Sequence, residues 1–214
     1  ELKNKFDVFL FHDLGSGLVI DKKFLEINNV SLFKDEPFVQ DSLSDGANLV
    51  MFSGDKLFGS IQAGVIAGSK RLIAEIKESS LFRTYRCSPV VSYELQKTTE
   101  LYLSRQEGSI PLWNSLKLSY DELLIRVKRI SEAITIEHSI EDANSLIGGG
   151  SMPDVKIPSP VISIGTSVDS NLLDKLGHLD TPIIPRIKDN KIIIDIRSSF
   201  ESDDELIITA LNNL

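Results

Sequence analysis

Apolar positions fall in short blocks that switch between a strand-like and a helix-like spacing along the chain. The run Phe6-Asp7-Val8-Phe9-Leu10-Phe11, aromatic and branched and closed by Gly15 and Gly17, predicts a buried strand. Leu49-Val50-Met51-Phe52 and Ala63-Gly64-Val65-Ile66-Ala67-Gly68 predict two more. Between the first two, Pro37 is placed to open a helix that carries Val39 and Leu43 and stops at Gly46. Ser69 predicts the cap of a helix reaching about Lys77. Pro89 starts a longer helix whose apolar residues include Val91, Leu95, Leu101 and Leu103. After a turn around Gly108 to Pro111, Ser119 and Glu122 have capping-box spacing, and Leu123, Val127, Ile130 and Ile134 follow at helical intervals.

The texture then changes. Gly148-Gly149-Gly150 and Pro153, Pro158 and Pro160 are expected to break regular structure. Val161 to Ile164 predicts a strand and Asn171 to Leu176 a short helix. Ile183 to Ile187 and Lys191 to Ile196 read as a hairpin turning at Lys188-Asp189-Asn190. Ser202 is expected to cap a last helix, with Asp203, Asp204 and Glu205 in the first turn where the helix dipole favours acids. Alternating strands and helices followed by a smaller mixed unit give an α/β class with a C-terminal α+β part. The boundary falls between residues 105 and 118, and the two parts are taken as 1–110 and 111–214.

Composition narrows the function classes. With 42% hydrophobic and 25% charged residues in 214, the chain has the apolar content of a folded protein and not of a disordered one. A net charge of −8 offers no overall field for nucleic acid, which leaves only local patches for such contacts. No apolar run approaches the ~18 residues that span a bilayer, so no membrane partner is expected. The single cysteine, Cys87, allows no internal disulfide, which favours a reduced, cytoplasmic setting; the residue itself reads as inert and partly buried. His12, His138 and His178 are too dispersed for a metal site, and none is expected. The glycine triplet lacks the lysine and hydroxyl of a phosphate loop. Trp113 reads as a packing residue. A buried parallel strand at the start needs neighbours, so the chain is expected to be the back part of a longer protein.

Chemistry concentrates at Phe52-Ser53-Gly54-Asp55-Lys56. A lysine just after a buried strand, beside Gly54 and Gly59, stands where open α/β sheets bind ligands. Lysine forms a Schiff base with pyridoxal phosphate when its pKa is lowered toward neutrality. Ser53 is positioned to donate to a phosphate, and Asp13, after the first strand, to pair with a pyridinium nitrogen. By pattern alone, the alternative readings are a surface lysine and a turn-forming aspartate.

Several segments together carry a resemblance. FSGDKLFGSIQAGVIAGSKRLI, HDLGSGLVID, EPFVQDSLSDGANLVMFSGDK, IGGGSMPDVKIPSPVISI and TPIIPRIKDNKIIIDIRSSFESDDELIITAL resemble, in order and spacing, the bacterial selenocysteine synthase (L-seryl-tRNA(Sec) selenium transferase) family. The likeness covers nearly the whole chain. It implies a partial fold type I (aspartate-aminotransferase-like) large domain over 1–110, with pyridoxal 5'-phosphate as cofactor, and a small C-terminal domain over 111–214. It makes Lys56 the Schiff-base lysine and Asp13 the partner of the ring nitrogen. It also gives Arg83 and Arg86, 27 and 30 residues beyond Lys56, the binding of selenophosphate. At a spacing of three these two arginines would share a helical face. Asp55 is expected to assist proton movement at the leaving hydroxyl.

The implied reaction is a β-replacement that converts seryl-tRNA(Sec) to selenocysteinyl-tRNA(Sec), in a homo-oligomer that is a dimer or a ring of dimers. The chain departs from the family where Gly59-Ser60-Ile61-Gln62-Ala63-Gly64 stands for GGPQAG, where Cys87-Ser88-Pro89 replaces an Asp-Lys pair, and where His12 precedes Asp13. The family's N-terminal tRNA-binding region and the first half of its cofactor domain have no counterpart in this sequence. The alternatives are a related pyridoxal-phosphate lyase or transferase acting on a small amino acid, and a noncatalytic remnant kept as a scaffold.

Overall fold

A computed structural model describes residues 8–28, 30–33, 35–148, 151–165 and 169–214. Phe6, Asp7, Gly149 and Gly150, assigned above to a strand and a turn, lie outside these residues. The chain divides into two units, Glu1–Lys117 with Gly148–Pro153, and Leu118–Ile147 with Asp154–Leu214.

In the first unit β1 (Phe11–Gly15) pairs parallel with β2 (Leu49–Ser53), and β3 (Gly64–Gly68) pairs antiparallel on β2's other side. The crossover between β1 and β2 carries α1 (Lys22–Ile27) and α2 (Val39–Ser44). Asp21 caps α1 by accepting the Lys23 N–H at 2.9 Å. After β3 come α3 (Lys70–Glu78), α4 (Ser80–Thr84), α5 (Pro89–Leu103) and α6 (Pro111–Leu116). Val39, Val50, Phe52 and Phe58 form one apolar centre of this unit. Trp113 is fully buried, its ring edge-on to Phe33 and Phe24 at 5.5 and 6.4 Å between centroids.

The apolar run at the start is not the buried strand its pattern predicts. Only Phe11 of Val8–Phe11 enters β1, and Val8, Phe9 and Phe11 are 52, 57 and 53% exposed. Among the described residues β1 has β2 as its only strand neighbour, so its outer edge is uncovered. A hydrophobic run states what a segment is able to bury, and a neighbour is still required to bury it. The long helix α5 differs likewise: Leu103 and Val90 are exposed, and Thr98 is its buried residue.

The second unit is a four-stranded antiparallel sheet in the order β4 (His138–Leu146), β5 (Lys156–Ile164), β7 (Lys191–Ile194), β6 (Arg186–Lys188). α7 (Tyr120–Ala133), α8 (Ser170–Gly177) and α9 (Asp204–Asn212) supply Val127, Ile130, Leu176, Ile207 and Leu211 to a core shared with Ile162, Ile164, Ile192 and Ile194. The capping box at Ser119 and Glu122 is formed. The β6–β7 turn has two residues, Asp189 and Asn190, with φ of 50° and 62°, the mirror-image turn that suits twisted hairpins.

Two expectations are corrected here. Pro158 and Pro160 do not break the chain but lie inside β5, opposite Asn144 and Asp142 of β4. β7 pairs only with Ile162 to Ile164, so the prolines occupy the half of β5 that β7 does not reach, where no ladder N–H is needed. The Pro158 carbonyl on that side accepts instead from Arg197 Nη2 at 3.0 Å. Ser202 does not cap α9 either. It sits in a 3-10 turn, and Asp203 is the residue before the helix. Asp204 is drawn inward by Arg126 on α7. The Arg126 Nε donates to both Asp204 oxygens at 2.8 and 2.9 Å, and its Nη1 donates to the carbonyls of Ile196 and Ser199 at 3.2 and 3.0 Å. Both side chains are buried.

Cutting Arg126 from this pair leaves the buried Asp204 carboxylate with only the exposed Arg129 as its cation, and frees the carbonyls of Ile196 and Ser199. Arg126→Met is therefore expected to lower the unfolding free energy of the chain by up to about 3–5 kcal/mol, read from urea denaturation. A loss below about 1 kcal/mol would show that the clasp is a surface-type pair.

Candidate functional site

Parallel pairing makes β1 and β2 end at the same edge of the sheet. Asp13 lies opposite Met51 and Gly15 opposite Phe52, with a register shift between them. The Asp13 carboxylate accepts the Gly15 N–H at 3.1 Å and so folds its own turn. Gly15 and Gly17 then take φ of +65° and +72°, a region that suits glycine. A Cβ on Gly17 would come within 2.4 Å of the Phe52 ring, so this loop lies against the end of β2. The Leu57 N–H donates to the Ser16 carbonyl at 2.8 Å, which ties the loop to the residue beside Lys56. The Lys56 Nζ is 3.7 Å from the point where a Gly15 side chain would begin.

The segment that carries Lys56 is fixed from behind. The Gly54 N–H donates to Ala63 O at 2.8 Å and the Ser60 N–H to Gly54 O at 2.8 Å. Gly59, with φ of +72°, has space for no Cβ, since one would stand 2.8 Å from Ile110. From α5, the Tyr102 hydroxyl donates to the Phe58 carbonyl at 2.9 Å and accepts from Trp113 Nε1 at 2.6 Å. Burial pushes the Tyr102 phenol well above its ordinary pKa, only partly opposed by the Trp113 hydrogen bond. Leu57 and Phe58 are buried, whereas Lys56 is half-buried and Asp55 exposed. Among the described residues Lys56 Nζ makes no ion pair and no hydrogen bond.

The structure brings Lys56, Ser53 and the Asp13 turn to one edge of the sheet. Ser53 ends β2 opposite Gly64 and is half-buried. Arg83 is in the last turn of α4, whereas Arg86 lies beyond the helix's end at Tyr85. The expectation of a common helical face is thus not met. The helix closes at its C-cap Tyr85, whose N–H donates to Leu81 O, and Ser88, extended before Pro89, caps the next helix. Both arginines are exposed. Cys87 between them and Pro89 is exposed too, contrary to its expected partial burial. The residues to which the sequence reading gave no part in the site are Ser16, the glycines that flank it, and Tyr102. A Gly-x-Gly directly after a strand was the available signal for the first three.

A pyridoxal phosphate fits these residues. It needs an amine free of ion pairs, a surface without side chains to lie near it, and a carboxylate at a neighbouring strand end. Lys56, Gly15 and Asp13 supply groups of these kinds.

The L-seryl-tRNA selenium transferase family model matches residues 1–200. The chain belongs to this family. It is 34% identical to the L-seryl-tRNA(Sec) selenium transferase of Campylobacter fetus over 214 residues, covering all of this chain and 46% of that protein. To the enzyme of the same name from Clostridium perfringens it is 34% identical, covering 100% of this chain and 47% of the relative. The chain thus spans about half the length of the curated relatives it matches. Among solved structures, a D-glucosaminate-6-phosphate ammonia-lyase superimposes with a TM-score of 0.54 at 16% identity, over 96% of this chain and 56% of that one. That likeness is one of fold: the chain is an α/β, partial fold type I (aspartate-aminotransferase-like) chain. No helix among its described residues is long and apolar enough to cross a membrane.

Tyr102 gives a test of how the lysine loop is held. Its raised pKa means that the folded state favours the neutral phenol. The stabilisation is present below the unfolded value of about 10 and is lost as pH rises beyond it. At neutral pH Tyr102→Phe is expected to cost about 1–3 kcal/mol, since Trp113 Nε1 and the Phe58 carbonyl lose their partner. In urea unfolding, the gap between wild type and variant should narrow above about pH 10.

Proposed function

We propose that the full protein converts seryl-tRNA(Sec) to selenocysteinyl-tRNA(Sec) with selenophosphate, by a pyridoxal-phosphate-dependent β-replacement. The observation that carries the reading is the half-buried Lys56 amine, unpaired among the described residues. It stands beside Gly15 in a chain of the L-seryl-tRNA selenium transferase family.

In this reading Lys56 holds the cofactor covalently through Nζ, Asp13 keeps a proton on the ring nitrogen, and Ser53 donates to the phosphate. When bound, the cofactor supplies an electron sink for the charge left on the serine α-carbon. Lys56 Nζ, once free, would take the serine α-proton and later return it. Asp55 passes a proton to the β-hydroxyl, so that the Cβ–O bond breaks with water as the leaving group. The selenium of selenophosphate would then form the Cβ–Se bond, and water would cleave the P–Se bond, with the phosphoryl group leaving as inorganic phosphate. Arg83 and Arg86, exposed and without an ion pair among the described residues, bind the donor's oxyanion by forked hydrogen bonds. The protein acts in the cytoplasm as a dimer or ring of dimers.

Borohydride reduction of the full-length protein after loading with pyridoxal phosphate, followed by peptide mapping, should label Lys56. A label on another lysine with Lys56 untouched refutes the assignment. Seryl-tRNA(Sec) turnover in an unreduced portion of the loaded protein separates this reaction from a lyase acting on a free amino acid.

The arginines give a second test. Arg83→Ala or Arg86→Ala is expected to leave cofactor absorbance intact while the selenophosphate requirement rises about ten- to hundredfold, the worth of one charge-assisted hydrogen bond. Loss of the cofactor in either variant would place the pair in the cofactor's shell, and no change would make them plain surface residues.

A further inference from the structure

The segment that carries Lys56 is tied to α5 at a second point, by a pair of hydroxyls that no step above uses. Thr98 is the buried residue of α5, and its Oγ1 donates to Ser60 Oγ at 2.8 Å. The Glu94 carbonyl, one turn earlier on the helix, lies 3.1 Å from Thr98 Oγ1 and 3.4 Å from Ser60 Oγ. Ser60 also carries its backbone into the lysine loop. Its N–H donates to Gly54 O at 2.8 Å, and the N–H of Gly59 donates to Lys56 O at 2.9 Å. Gly54 has no room for a side chain, since a Cβ would stand 2.7 Å from the Ile61 carbonyl. Residues 54–60 thus form a closed loop whose last residue is pinned to a helix 38 residues away in sequence. Tyr102, one turn beyond Thr98, holds Phe58 of the same loop.

Backbone hydrogen bonds of a loop open readily unless contacts beyond the loop hold them closed. Ser60 joins both kinds of contact in one residue: its amide closes the loop, and its side chain fastens it to α5. The pattern GGPQAG has glycine at this position, which offers no hydroxyl, so the tie is particular to this chain. We infer that Ser60 and Thr98 are positioning residues for Lys56. Their tie keeps the loop closed and so holds the lysine backbone while Nζ condenses with the cofactor's aldehyde, forming C=N and releasing water. The amine is placed to react only from the closed loop, so every opening lowers the fraction of time in which it can do so. The inference rests on the reading in which Lys56 holds pyridoxal phosphate.

The full-length protein, freed of cofactor, gives the first readout, amide hydrogen exchange. Thr98→Val keeps the shape of the side chain and removes the donor, and Ser60→Ala removes the acceptor. In either variant the Gly59 and Ser60 amides are expected to exchange about three- to tenfold faster, the worth of one hydrogen bond, with Leu49–Ser53 unchanged. The double variant should match the single ones, because each breaks the same tie. Thr98→Ser, which keeps the hydroxyl, should exchange like wild type. On addition of pyridoxal phosphate, the visible band of the lysine adduct should grow more slowly by the same factor in the first two variants. In Thr98→Ser it should grow at the wild-type rate. Unchanged exchange at Gly59 and Ser60, exchange that quickens throughout Leu49–Ser53, or effects that add in the double variant would each overturn the tie. Faster exchange with an unaltered rate of band growth overturns the positioning role and leaves Lys56 as the cofactor lysine. Borohydride labelling of another lysine in the wild type overturns both.

Discussion

Parallel pairing of Phe11–Gly15 with Leu49–Ser53 sends two stretches of chain out of the sheet at the same edge, and the site's geometry depends on it. A parallel pair needs a long crossover, which the helices at Lys22–Ile27 and Val39–Ser44 occupy. Had the strands been antiparallel, Asp13 and Lys56 would stand at opposite ends of the sheet. Instead their loops touch, and glycine at positions 15 and 17 lets the backbones approach to hydrogen-bonding distance. The carboxylate, hydroxyl and amine of this edge all follow from that one pairing.

The loop with Lys56 is anchored on the side away from these groups. Tyr102 and Trp113 form a chain of two hydrogen bonds that ends on the Phe58 carbonyl, and Gly59 closes against Ile110. The contrast between neighbours matters: Leu57 has no freedom, while the Lys56 side chain keeps its amine unengaged. A catalytic lysine benefits from such a division, because the backbone is held in place while the reactive atom can still move. In the second unit Arg126 follows the opposite logic. Its guanidinium is buried and matched on several sides, as suits a structural charge.

Much of this was legible in the sequence, and what was not has physical causes. Leu49–Phe52 is apolar at every position and is a central strand, so its pattern and its burial agree. The Ser119 capping box is a local device that needs nothing distant. By contrast, Val8–Phe11 has the pattern of a buried strand but lacks a covering neighbour among the described residues. His138–Leu146 went unread because Ser, Glu, Asp and Asn weaken its alternation; the strand exists through its pairing with Lys156–Ile164. The Arg83–Arg86 spacing suggested one helical face, yet the helix is one short turn that closes at Tyr85, before Arg86. At the site, Lys56 could be found from its strand, whereas the contact of Ser60 with Thr98 is a property of three dimensions only.

The two prolines inside Lys156–Ile164 have an effect beyond the strand that contains them. On the half of the strand not reached by Lys191–Ile194, positions 158 and 160 have no amide hydrogen to offer. A foreign extended segment docking there would find part of its hydrogen-bond ladder missing, and one remaining carbonyl is already taken by Arg197. That stretch of the strand is thereby guarded against pairing with another chain's strand, the first step of edge-to-edge aggregation.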